Sequence, residues 1–212
     1  MTQTTRDISY EEFEKIVTTV NNYNVALLKV ALTGDVNPSA PDLPDWVTGN
    51  VTYSADVSGG TESEDYSDLP QSILNVFAQD RDTTKVRLNE HKSALQEIAG
   101  KVNDISEDEL RSELGEQNKK IIDKISHDLT ENTNRLVETA KEEKRKNPNV
   151  TFKKVGAAHA KEEGFLQFVW KGVVAIVDQL IDEIKNFFKK IGQWFEDRWN
   201  DVKDWFHKTF GL

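Results

Sequence analysis

Four histidines, His91, His127, His159 and His207, are the side chains of this sequence best suited to proton transfer or metal ligation near neutral pH. Three of them stand at helical spacing from a carboxylate: His127 from Glu131, His159 from Glu163, and His207 from Asp204. A helical di-metal site needs such a pair twice, on facing helices, with further carboxylates converging on it. Here the pairs fall on separate segments. With 37 acids in 212 residues, pairs of this kind arise by chance, and each reads as a solvated helix face. No nucleophile elbow, Gly-rich phosphate loop or His-Glu-x-x-His motif is present. Without cysteine there is neither thiolate chemistry nor a disulfide. The expectation is a protein that is not an enzyme, with no catalytic residues, no metal, no cofactor and no small-molecule substrate.

The other residue type with a chemistry of its own is the large aromatic. Of 19 aromatic side chains, 11 lie between Gly164 and Leu212: Phe165, Phe168, Trp170, Phe187, Phe188, Trp194, Phe195, Trp199, Trp205, Phe206 and Phe210. Phe and Trp carry so much apolar area that such a segment must be covered by protein, lipid or a partner. At about 100° per residue, Leu166, Trp170, Val173, Val177, Phe188, Phe195, Trp199, Val202, Phe206 and Phe210 share one side of a helix. Asp182, Lys190, Asp197, Asp201, Asp204 and Lys208 occupy the other. From Phe165 to Val177, ten of thirteen residues are apolar, too short a run to span a bilayer. A single rod would be about 70 Å long, so two linked helices with a bend at Gly172 or Gly192 are expected.

The elements that position this tail are also helical. Only 37% of residues are hydrophobic and 30% are charged, which suits long, solvent-washed helices. Ser9 and Glu12 form the pattern of a capping box, followed by a stripe from Phe13 to Leu28 and a stop at Gly34. A second helix is expected after Pro70, with Ile73, Leu74, Phe77, Leu88, Leu95 and Ile98 as its stripe. A third follows a second capping box at Ser106 and Glu109 and runs past Val137. Asn118 and Asn132 near its seam are placed to fix register, and the short link around Asp104 and Ile105 makes the two helices an antiparallel hairpin. Lys141 to Lys146 reads as a basic helix end before Asn147-Pro148, with residues 147–163 as a connector. From Val30 to Asp80 there is no Lys or Arg, but nine acids and four of the five prolines. That composition makes a loop, with a small hairpin at Trp46–Tyr53 as an exception and acids from Asp56 to Asp68 as a weak calcium candidate. The fold expected is all-α: an elongated antiparallel bundle of four to five helices with a long acidic loop between helices 1 and 2. Residues 1–163, including loop 35–69, form the body, and residues 164–212 form the tail packed on it.

The net charge of -10 argues against nucleic acid as a partner, and all of it precedes Gly164, since the tail holds seven bases and seven acids. The N-terminus lacks the apolar core of a secretory signal, so a soluble chain that joins membranes when active is expected. Gln193 to Phe210, with acids and bases mixed on its polar face, resembles the amphipathic helix of exchangeable apolipoproteins. Long helices, no cysteine and an acidic body around an amphipathic segment resemble the architecture of helical pore-forming proteins. That likeness implies a partner in the lipid membrane surface, with self-association into a homo-oligomer. The function expected is membrane binding, and in its strongest form permeabilisation, through the eleven tail aromatics. The alternative is an interaction or scaffold protein whose tail docks on a protein partner or a second copy; a weaker one places function in the acidic loop.

Overall fold

The computed structural model describes residues 7–33, 39, 41–47, 66–101, 104–180 and 184–211; within its helices, the side chains of residues 31–33, 107, 167, 168, 171 and 173–195 lie outside the description. Among the described residues the protein is mostly helical, at 85% helix, with its helices packed on one another. Among the described residues there is no strand, and five long helices follow in order: α1 (Tyr10–Thr33), α2 (Gln71–Gly100), α3 (Glu107–Lys146), α4 (Phe152–Leu180) and α5 (Ile184–Phe210).

Three of the starts are capped by side chains. The Ser9 hydroxyl accepts from the Glu12 amide at 3.1 Å and opens α1. Ser106 and Glu109 satisfy each other's backbone amides in a complete capping box at α3, as their spacing implies. α4 is capped twice: Thr151 Oγ1 accepts from the Lys154 amide at 3.3 Å, and the Asp7 carboxylate accepts from Phe152 and Lys153 amides at 3.2 Å each. The basic stretch closing α3 is a helix end, because Lys144 Nζ donates to the carbonyls of Pro148 and Val150 and pairs with Asp7 at 2.6 Å.

Side-chain pairs fix the directions. α2 and α3 run antiparallel, with Lys101 on Glu113 near their turn, then Lys124 on Glu90, Arg87 on Asp128, and Asn132 donating to Asp80. Asn132 therefore sits where its place on the seam suggested, and Asn118 is also buried. α1 lies antiparallel to α3 through Tyr10–Glu138 and Asn21–Thr130. It lies parallel to α4 through the stacked Phe13 and Phe152 rings, 5.0 Å apart, and Asn24–Glu163. α5 returns antiparallel along α2, with Phe210 stacked on Phe77 at 4.6 Å and Lys92 beside Glu196.

The connector before the tail is shorter than the sequence suggested. It covers residues 147–151, and the twelve residues from Phe152 to Glu163 are helix that continues through Gly164. From Val155 to Leu166 every residue except Lys161 is buried, and α4 touches each of the other four helices, α1 most extensively. Its run Gly156-Ala157-Ala158 lets neighbours come close: a Cβ on Gly156 would meet the Trp46 ring at 3.1 Å. Burial on all sides hides the periodicity that marks a helix in sequence. Residues 181–183, between α4 and α5, lie outside the described residues, and Gly172 and Gly192 both lie inside helices. Residues 45–47, the described start of the expected hairpin, are instead a helical turn that packs Val47 on Ile16, Val20 and Ala160. Residues 48–53 and 56–65 lie outside the described residues, and with them the rest of that hairpin and most of the calcium candidate.

Candidate functional site

The described part of the aromatic tail is fastened at both ends. On α4, Phe165 and Trp170 are buried, and Phe165 stacks on Trp205 of α5 with ring centres 4.2 Å apart. On α5, Phe206 and Phe210 are buried with Val202 and Thr209, while Trp199 and Trp205 are half-buried. Tyr66 closes this end, its amide donating to the Thr209 carbonyl at 3.0 Å. The opposite face of α5, with Glu196, Asp197, Asp201, Lys203, Asp204, His207 and Lys208, is exposed. The side chains of Phe168, Phe187, Phe188, Trp194 and Phe195 lie outside the described set. Of the six candidates whose side chains are described, Phe165, Trp205, Phe206 and Phe210 form one aromatic cluster, Trp170 borders Asp80 and Asp128, and Trp199 stands apart. It lies about two turns before Phe206, under Lys85 Nζ at 5.2 Å.

Trp199 lines a groove of about 210 Å³ between α2 and α5, together with Lys85, Leu88, Asn89, Lys92, Glu196 and Asn200. Lys92 is 3.7 Å from Glu196, so the groove offers little net charge to a ligand. Among the described residues no helix is long and apolar enough to cross a membrane.

A second constellation is polar and lies inside the bundle. Asp80 of α2, Asn24 of α1, Asn132 and Thr133 of α3, and His159, Glu162 and Glu163 of α4 are all buried. Glu163 accepts from Asn24 at 2.9 Å and from Thr133 at 3.1 Å, and its carboxylate stands 3.2 Å from His159 Nε2. Asp80 accepts from Asn132. Glu162 is 2% exposed, and its Oε1 has no hydrogen-bond partner. Burial raises the Asp80 carboxyl to about 7, with Glu163 adding to the rise and Asn132 opposing it. Burial also lifts Glu162 well above the usual carboxylate range, helped by Asp80 and Glu163. The His159–Glu163 pair is therefore no solvated helix face, whereas His127 and Glu131 are both exposed and Asp204 and His207 likewise. Spacing alone cannot separate the three, because burial is set by partners distant in sequence.

Three carboxyls in a core suggest a metal, but among the described residues no group of His, Asp and Glu converges well enough to hold one. What the cluster can do is exchange protons. Asp80 lines a cleft of about 10 Å³ with Thr84, Arg87, Asp128 and Trp170, at the lower limit for one water molecule. No protein-family model, curated protein or solved structure matches the chain.

Proposed function

We propose that this chain is a membrane-active helical protein whose α4–α5 tail binds lipid bilayers and inserts into or permeabilises them, in the manner of helical pore-forming proteins. In this reading the five helices form one elongated bundle of mixed helix direction, with α1 parallel to α4, that sheathes the tail in water, and self-association follows insertion. The observation that carries it is α5 itself. One side, with Val202, Phe206 and Phe210, is covered by α2 and the turn at Tyr66, and the other shows solvent interleaved acids and bases. A helix of this kind, with Trp beside Lys in a tail (164–212) whose seven bases balance seven acids, suits the headgroup level of a zwitterionic bilayer once its apolar side is freed. The terminal aromatics are held by ring contacts and one backbone hydrogen bond, contacts that lipid can replace.

The test is co-sedimentation and dye release with zwitterionic and anionic liposomes. Binding with release is expected from the native chain. Trp199→Glu is the informative variant, because Trp199 is half-buried, whereas Glu at the buried Phe206 would unfold the bundle and confuse the two effects. Loss of liposome binding by a Trp199→Glu protein that still melts cooperatively supports the reading. Failure of the native chain to associate with either lipid sinks it and leaves the tail as a protein-docking element.

A further inference from the structure

Three buried carboxyls and a histidine lie between α4 and its neighbours, with Glu163 of α4 accepting from Asn24 of α1 and Thr133 of α3, and a fold that needed only rigidity would fill that space with apolar side chains at less cost. Unlike most buried polar groups, Glu162 Oε1 is left without a partner in the core. Every tie from this layer ends on α4 or beside it. α1 contributes the neutral Asn24, α3 contributes Thr133, Asn132 and the Asp128 carboxylate, and α2 contributes Asp80. His159 and Glu163 face Asp80 from α4, and Asp80 and Glu163 together face Glu162. Asp128, the charge nearest the surface, is held in a two-pronged ion pair by Arg87 at 2.6 and 3.0 Å, which also reaches Glu90. Arg87 and Asp128 border the small cleft that gives solvent a path to Asp80.

We propose that this layer is a proton-operated latch on α4: with Asp80 and Glu162 protonated the helix is held by α1, α2 and α3, and loss of those protons to solvent loosens it. The consequence for lipid rests on the membrane reading; the latch itself does not. A buried carboxyl whose proton affinity is raised in the folded state stabilises that state at low pH. The contribution fades as pH rises from the unfolded value through the folded one. For Asp80 that window runs from 3.8 to about 7. Acid therefore closes the latch and mildly alkaline solution opens it.

The deciding experiment is hydrogen exchange of the full chain without lipid, read on the amides of residues 155–166 and corrected for the intrinsic pH dependence of exchange. Between pH 5 and pH 8.5 the opening constant of this segment is expected to rise about 100-fold from Asp80 alone. Asp80→Asn with Glu162→Gln, neutral and of the same shape, is expected to flatten that rise. A pH-independent α4 in the native chain overturns the latch, and so does a double variant that keeps the full dependence. Should the double variant fold poorly, the native pH series decides alone. Because no lipid is present, a chain that opens with pH but releases no dye keeps the latch and loses the membrane reading. One that releases dye with a pH-independent α4 does the reverse.

Discussion

Asp80 and His91 lie three turns apart on α2, both buried, and they respond to pH in opposite senses. Burial lowers the His91 imidazole from 6.5 to about 4, so in the folded protein it stays neutral where the unfolded chain takes up a proton. Its contribution is present above pH 6.5 and is lost as pH falls towards 4, up to about 3 kcal/mol. Asp80 gains stability over part of the same interval as pH falls, so the two largely mask each other in the native chain. Glu162, also raised by burial, opposes His91 in the same sense as Asp80, so the histidine limb is uncovered in the variant that joins Asp80→Asn to Glu162→Gln. Its urea midpoint is expected to fall steadily from pH 6.5 to pH 4, and a midpoint constant over that range would refute the assignment. None of this was legible in the sequence, where His159 and Glu163 carry the same spacing as the exposed His127 and Glu131. Spacing gives the side chains a shared helix face, but the depth of that face depends on Asn24 and Thr133, 139 and 30 residues away from Glu163.

At the scale of elements, what could be read was what local chemistry decides. The capping box at Ser106 and Glu109 names its own helix start, and replacing Ser106 by Ala is expected to cost about 1 kcal/mol, seen as a lower thermal midpoint. A change within error would mean that the 40-residue α3 is held by packing alone. α1, α2 and α3 were visible because each has one wet and one dry side. The front of α4 was not, since its neighbours cover it all round and no polar face survives to mark a period. Its start also depends on Asp7, 145 residues before Phe152, a cap that no local pattern announces. Burial works to raise the Asp7 carboxyl, but hydrogen bonds from Lys144 and from the Lys153 and Phe152 amides hold it below the usual range. The brace therefore fails only as pH drops below the ordinary carboxylate range. Gly172 and Gly192 both lie inside helices, because glycine inside a helix weakens it without having to end it.

For the whole molecule, the separation that matters is between α5 and α2. α4 touches all four other helices, but α5 is tied chiefly along α2, with Tyr66 at one end and a groove beside Trp199 at the other. If lipid activity requires the tail to leave the body, the α2–α5 seam must part, and a covalent tie across it must block activity without touching any aromatic side chain. The chain lacks cysteine, so a pair introduced at Asn89 and Asn200, both exposed and both lining that groove, can be joined by a short cleavable bis-maleimide with no competing thiol. The linked protein is expected to melt higher than the unlinked pair, because the tie restricts the unfolded chain. It is also expected to release no dye from liposomes until the linker is cleaved, when release returns. Full release with the linker intact would mean that α5 acts in place, through a surface it already shows to solvent, and the sheathing role given to α2 would have to be abandoned.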